Sequence, residues 1–253
     1  MATAPHLTLS KPQSNVLVER WFFTGMALAL IAISLVAFLP SITHPAERRA
    51  PLSALAAAQG IVFLAWLLVF LIQSRLIASR HVVWHRRLGF TSIALLALMI
   101  PLGYSTTIAM VRRGFDLSGD LGVGINHEPA YEAVFPLFNL LIFTALAIAA
   151  LAYRRRPEIH KRLMLFANIE LMPAPLTHLI GHTPWLALLP AAIVMVPITA
   201  LVAAAVGRDW LVRGRIHPLT WSLAILRMVS GPLEAGPIGT SAAWHHFVYW
   251  LAQ

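Results

Sequence analysis

Seven apolar runs divide this chain, and its basic residues gather on alternate connections between them. A hydrocarbon layer about 30 Å thick is crossed by roughly 20 apolar residues in a helix. Within it each backbone polar group must be satisfied inside the chain. The runs are continuous rather than alternating at period two, which favours helices over a barrel. The spans predicted are 21–39, 53–73, 88–111, 131–152, 161–180, 185–206 and 218–235. A last segment, Thr240 to Ala252, carries Trp244, Phe247, Tyr249 and Trp250 behind Thr240 as a candidate cap. It reads as a short helix at the membrane–water interface, or as one packed back on the bundle. The expected fold class is an all-α integral membrane bundle of about seven transmembrane helices plus this interfacial helix. Residues 21–253 form one domain, behind a polar, mobile cytoplasmic tail over 1–20.

Charge gives the expected orientation. Connection 74–87 holds Arg75, Arg80, Arg86 and Arg87 with no acid. Arg154, Arg155 and Arg156 in connection 153–160, with Lys161 and Arg162 in the first residues after it, face only Glu158, and Arg208, Arg213 and Arg215 face only Asp209 over 207–217. The other connections are weakly basic, neutral or, over 112–130, acidic on balance despite Arg112 and Arg113. The positive-inside rule then puts the amino terminus in the cytoplasm and, for seven passes, the carboxyl terminus outside.

The chain is 58% hydrophobic and 11% charged, whereas a soluble domain carries about 25% charged residues, so lipid is the expected outer solvent. Its formal net charge of +9 is explained by these flanking arginines, and nucleic acid is not an expected partner. With no cysteine, the chain has no disulfide, thiolate metal site, cysteine nucleophile or covalently attached c-type haem. Gly119 to Gly124 lacks the strand–helix context of a dinucleotide site. Asp116, Asp120, Asn126 and Glu128 make an outer acidic loop that lacks EF-hand spacing.

Two groups of residues are candidates for chemistry. Glu170 lies about ten residues into the fifth run and Arg227 about nine into the seventh, so both sit about 15 Å deep, near the midplane. An unpaired charge there costs about 2.5–3.5 kcal/mol, which predicts a Glu170–Arg227 ion pair, with Glu234 two turns on as a competing acid. Pro173 and Pro175 are expected to break the fifth span locally and turn it towards the bundle interior. The pair would either fix helix packing or form a proton or substrate site.

Histidine is the second group. His85 and His160 open the third and fifth runs on the same side, where they would serve as axial ligands of a haem b near the cytoplasmic face. His178, eighteen residues after His160 and five turns along one face, is the candidate for an outer ligand. Its partner is missing, since the second run offers Gln59 at that depth. The pairs His81/His85 and His178/His182 have no evident third ligand, so no metal ion is expected.

Several motifs carry a resemblance: Ala65-Trp66 to Gln73, His85-Arg86-Arg87-Leu88-Gly89, Pro157-Glu158-Ile159-His160-Lys161-Arg162-Leu163-Met164 and His217-Pro218. They resemble a family of bacterial multi-pass integral-membrane proteins of unassigned activity, over most of the chain. His85 in its His-x-x-Leu-Gly setting also looks like the haem ligand of cytochrome b561-type membrane proteins, and the carry-over extends to His160. The family pattern has histidine before the glycine of the second span, where this chain has Gln59-Gly60. The resemblance implies a bacterial inner-membrane location. It also implies that a haem, if bound, exchanges electrons with a quinone or another redox partner. The other expectation is a transporter or small-molecule-binding bundle around Glu170 and Arg227; a third is an accessory protein without chemistry of its own.

Overall fold

The computed structural model describes residues 13–45, 51–114, 128–181 and 191–253, and all its elements are helical. They are α1 (Gln13–Thr43), α2 (Ala54–Ala78), α3 (Val82–Arg113), α4 (Pro129–Glu132), α5 (Val134–Ala152), α6 (Pro157–Ile169) and α7 (Pro173–Gly181). A short 3₁₀ turn (Ala191–Val194) then leads into α8 (Met195–Arg213), α9 (Pro218–Leu233), a π-helical turn (Glu234–Ile238) and α10 (Ala242–Leu251).

Burial runs opposite to that of a water-soluble protein. Phe90, Ile61, Ile42, Leu141 and Val196 are more than 60% exposed, while Arg162, Glu170, Arg208, Asp209, Arg227 and Glu234 are at most 3% exposed. Water on the outside would favour the reverse, so the exterior is built for hydrocarbon. Among the described residues, six helical segments are long and apolar enough to cross a bilayer: Val18–Thr43, Ala54–Ala78, Val82–Arg113, Pro129–Ala152, Pro157–Ile180 and Met195–Arg213. The chain is thus a multi-pass membrane protein. The seventh expected span, 218–235, is the sixteen-residue α9 continued by the five-residue π turn. At 1.5 Å per residue, α9 alone reaches about 24 Å, short of the bilayer core.

Local chemistry sets the element ends. Ser53 caps α2, its hydroxyl accepting from Ala56 N–H at 3.1 Å. Gly114 and Gly214 close α3 and α8 in the left-handed region, at φ 73° and 68°. Pro173 lacks an N–H and its ring would strike the carbonyl of Ile169, so α6 stops and α7 restarts at the proline. The expected break in the fifth span is therefore where the paired prolines placed it. The share of buried residues there is 61%, against at most 39% in any other span. Pro101 leaves α3 unbroken in register over 32 residues.

Three boundaries need correction. The helix of the first span already begins at Gln13, inside the stretch read as a tail. The sixth span is not 185–206 but extends to Arg213, because Arg208 and Asp209, counted as loop charges, neutralise each other inside the helix. Ser241, not Thr240, caps α10, accepting from Trp244 N–H at 3.2 Å.

The main core gathers Leu30, Trp66, Met99, Phe143, Phe166 and Ile198 from six helices. Trp66 donates its indole N–H to Asn168 Oδ1 at 3.1 Å, and Asn168 donates to Met164 O, so this buried amide is satisfied. A smaller core docks α10 on α4 and α5 through Trp244 and Val248, with the Trp244 indole donating to Ala130 O at 2.8 Å. Phe247, Tyr249 and Trp250 remain outside. Arg112, on the connection that departs from the charge rule, donates to Ala252 O at 2.7 Å and ties α3 to the chain end.

The π turn closes on Gly239, where a Cβ would lie 2.6 Å from the Glu234 carbonyl oxygen. Gly239→Ala is expected to lower stability by about 1–3 kcal/mol through forced backbone movement. A thermal melt of the detergent-solubilised protein tests this, with Gly60→Ala, where a Cβ meets nothing within 4 Å, as the control.

Candidate functional site

One face of α9 carries Thr220, Leu223, Ala224, Arg227 and Ser230, all buried, and Glu234 continues it into the π turn. This three-to-four-residue spacing makes a single stripe along a helix. It faces α6, where Arg162 and Glu170 stand eight residues apart. The two helices are clamped at both levels of their seam.

The deeper clamp joins Glu170 and Arg227. Arg227 Nη1 donates to Glu170 Oε2 at 2.7 Å, to Ser230 Oγ at 3.1 Å and to Asn139 Oδ1 of α5 at 3.2 Å. Glu170 is 1% exposed and Arg227 2%. Glu170 owes its place to the proline break, since it is the residue on which α6 ends. Glu234, also 1% exposed, lies close enough to feel both charges but forms no ion pair with Arg227. Glu234 Oε1 and Arg227 Nε have no hydrogen-bond partner among the described residues. The structure therefore brings Glu170 to Arg227 and leaves Glu234 as a third member with no ion pair among the described residues.

The shallower clamp was not foreseen as a site. Arg162 grips Asp209 of α8 through Nε and Nη2, at 3.1 and 2.5 Å, in a two-pronged contact. Its Nε also donates to Thr220 Oγ1 of α9 at 2.9 Å, and Thr220 donates to Asp209 Oδ2. Arg162 Nη1 donates to Glu158 Oε2 at 2.8 Å, and Glu158 also pairs with Lys161 and Arg213. Arg208, 3% exposed, donates to Asp209 Oδ1 at 2.9 Å and lies over the Phe23 ring of α1. A cavity of about 10 Å³, room for about one water molecule, sits between Phe22, Phe23, Arg162, Arg208, Asp209 and Thr220.

These residues were tallied as loop charges, and their composition hides their role. A basic cluster with one acid reads the same whether it is solvated or folded inward. The one available signal was spacing, as Arg162 falls two turns before Glu170 on the helix expected to face inward.

The histidines divide. His85 of α3 and His160 of α6 come together, ring centres 6.3 Å apart and planes at 79°. His160 Nδ1 bonds Ala150 O at 2.8 Å, which fixes the ring and leaves Nε2 as an acceptor. His85 Nδ1 is buried with no hydrogen-bond partner among the described residues. Two imidazoles on one iron, each bonded at about 2 Å, place their ring centres roughly 6 Å apart, so this pair is of the right separation for axial ligands. His178 is 5% exposed, but its Nε2 meets Ser41 Oγ of α1 at 2.9 Å and its ring lies 4.6 Å from that of Phe38, tilted by 34°. It does not share one continuous helix with His160, because α6 and α7 are separate. His81 bonds Ser79 at 3.0 Å, and His44 bonds Thr43 at 2.9 Å. His217 caps α9, its Nδ1 accepting from Leu219 N–H at 3.1 Å. Burial, then the charges of Arg162 and Arg213, hold its pKa below the ordinary histidine value. His127, His182, Asp116, Asp120 and Asn126 lie outside the described residues. No group of three or more histidine, aspartate or glutamate side chains able to hold a metal ion occurs among the described residues.

No family model, curated protein or solved structure matches the chain.

The shallow clamp makes a stability prediction. Asp209→Asn removes the one carboxylate that Arg162 and Arg208 share, leaving Arg162 to the half-exposed Glu158 and Arg208 to Glu19 at 3.8 Å, and is expected to cost about 3–5 kcal/mol. Thr220→Val removes one neutral hydroxyl and is expected to cost about 1–3 kcal/mol. Denaturant unfolding in detergent ranks the two; equal losses would show that Asp209 is not the shared counter-ion.

Proposed function

We propose that this chain is a carrier or binding bundle for a small polar solute, with the Glu170–Arg227 pair as its recognition centre. It crosses a bacterial inner membrane seven times, with α9 and the π turn as the seventh pass and the amino terminus in the cytoplasm. The orientation follows from the arginines at the ends of α2, α5 and α8, and α10 lies at the outer interface with its exposed aromatics among headgroups.

The observation that carries this reading is the 2.7 Å contact between Glu170 and Arg227 at the end of a broken helix. Ionisable groups within a membrane are expensive to insert and mark solute or ion pathways by default. Transporter sites cluster where transmembrane helices are interrupted near the midplane, because interrupted backbone and side-chain charges there can face a solute. Both conditions hold at Glu170, and a second departure from α-helix begins at Glu234. A solute with a carboxylate or phosphate competes with Glu170 for Arg227. One with an amine competes with Arg227 for Glu170.

The test is a thermal-shift screen of the purified protein against small carboxylic acids, amino acids, phosphate esters and amines. A ligand at about 100 times its Kd adds about 2.7 kcal/mol to the folded state and raises Tm. The expected result is a stabilising compound whose effect disappears in Glu170→Gln or Arg227→Gln. In cells, Glu170→Gln then abolishes uptake of that compound at unchanged expression. If the variant lowers expression alone and no compound class shifts Tm, the pair is a packing device and the carrier reading fails.

A second reading is favoured by the separation of His85 and His160. There the two imidazoles would hold a haem b, which supplies one-electron chemistry with a quinone or protein partner, and His160 would be oriented through Ala150 O. Protein expressed with added haem is expected to show a b-type absorption spectrum that is lost in His160→Ala. A colourless preparation ends this reading.

A further inference from the structure

We propose that Glu234 is a proton-binding site in the bundle interior, holding a proton whenever Arg227 is engaged by Glu170. The grounds are a charge count and a geometry. Three ionisable side chains meet in a region from which water is excluded, each at most 2% exposed. Two are carboxyls and one is a guanidinium. Arg227 is committed to Glu170, to which Nη1 donates at 2.7 Å. Glu234 has no ion pair, and its Oε1 has no hydrogen-bond partner among the described residues. A second carboxylate with no cation of its own is the least tolerable charge in such a place, and binding a proton removes it.

Among the described residues, the surroundings of Glu234 offer no other counter-charge. Arg227 and Glu170 are the charged groups that act on it. Helix α5, packed along the π turn, carries no ionisable residue and presents Asn139 to Arg227 instead. From α4, the Tyr131 hydroxyl donates to the neighbouring Ala235 carbonyl at 3.2 Å. From α10, His245 is occupied by the Gly239 carbonyl at 2.8 Å and by Glu128 at 3.1 Å. Ser230, which accepts from Arg227, stands beside Glu234 and links the two.

The arrangement has two charge-balanced forms. In one, Arg227 pairs with Glu170 and Glu234 is the neutral acid. In the other, Arg227 turns its unused Nε side to an ionised Glu234, and Glu170 takes the proton. The proton comes from and returns to water, and no bond other than O–H is made or broken. Taken with the carrier reading above, on which this last step rests, an anionic solute that captures Arg227 leaves both glutamates without a cation. One further proton then enters with each anion bound.

Infrared spectroscopy of the full chain in lipid nanodiscs at neutral pH, in H₂O and D₂O, tests the proton site without any solute. The wild type is expected to show the C=O stretch of a protonated carboxyl, shifting in D₂O. Glu234→Gln removes it. Glu170→Gln also removes it, because Glu234 then becomes the single carboxylate of Arg227. Arg227→Gln doubles its area, since both glutamates are left neutral; should that variant not fold, the two isosteric glutamine variants decide the matter alone. Absence of the band in the wild type, or its survival in either glutamine variant, overturns the proposal. A band that follows this pattern in a protein that binds no solute leaves the proton site standing and rejects only the carrier.

Discussion

Hydrocarbon does not solvate charge, and the bundle is organised by that constraint. Its outer surface is given over to Phe90, Ile61, Leu141 and similar side chains, so each charged group away from the ends must find its counter-charge inside. Arg162 and Glu170 on α6 meet Asp209 on α8 and Arg227 on α9. These contacts specify which helices adjoin and at what height. Apolar packing alone would do so poorly, since lipid tails are as apolar as leucine and offer helices little hydrophobic reason to associate. The two clamps on the α6–α9 seam lie about 12 Å apart along α6, so sliding one helix by a turn would break both. They act as a register as much as a source of stability.

The same constraint explains why the polar residues gather where helices depart from regular form. Pro173 ends α6 at Glu170, and the α-helix of α9 gives way to a π turn at Glu234. Each departure loosens the helical hydrogen-bond ladder and lets the backbone direction change beside a carboxylate. A straight helix could present either glutamate, but only at the fixed angular positions of its own repeat. Gly239, with no side chain to strike the Glu234 carbonyl, is what permits the second departure.

Much of the architecture was legible because it follows from counting. Run length gave the helices, and proline position gave the break in the fifth span. The depth of Glu170 and Arg227 was a matter of residues from the nearest helix end, and the structure places them in contact. The shallow clamp was illegible for a related reason. A positive-inside tally treats every arginine near a span end as solvated, and it cannot tell Arg154, which is exposed, from Arg162, which is 3% exposed. Pairwise identity was also out of reach: His178 was read against the second span by depth, but its partner Ser41 comes from α1, whose neighbours no spacing reveals. The π turn had Gly236, Pro237 and Gly239 as its only trace, and such residues at a span end signal a break without saying of what kind.

Helix α6 ties the candidate sites to one another. In thirteen residues and its cap it carries His160 towards α3, Arg162 towards α8 and α9, Asn168 towards α2 and Glu170 towards α9. Two to three turns of one rigid cylinder therefore hold the proposed imidazole ligand, both clamps and one end of the proposed solute site. A rotation of α6 that relieved strain at one of them would misplace the others. That coupling limits how the bundle can move. Any opening at Glu170 has to leave the α6–α8–α9 clamp at Arg162 closed, or the two buried cations there lose Asp209 together. Motion is cheapest on the far side of the proline break, where α7 is joined to α6 by a short non-helical segment and is held by Ser41 and Phe38 of α1. On the carrier reading, a gate for the proposed site belongs on α7, with α6, α8 and α9 as the frame against which it moves.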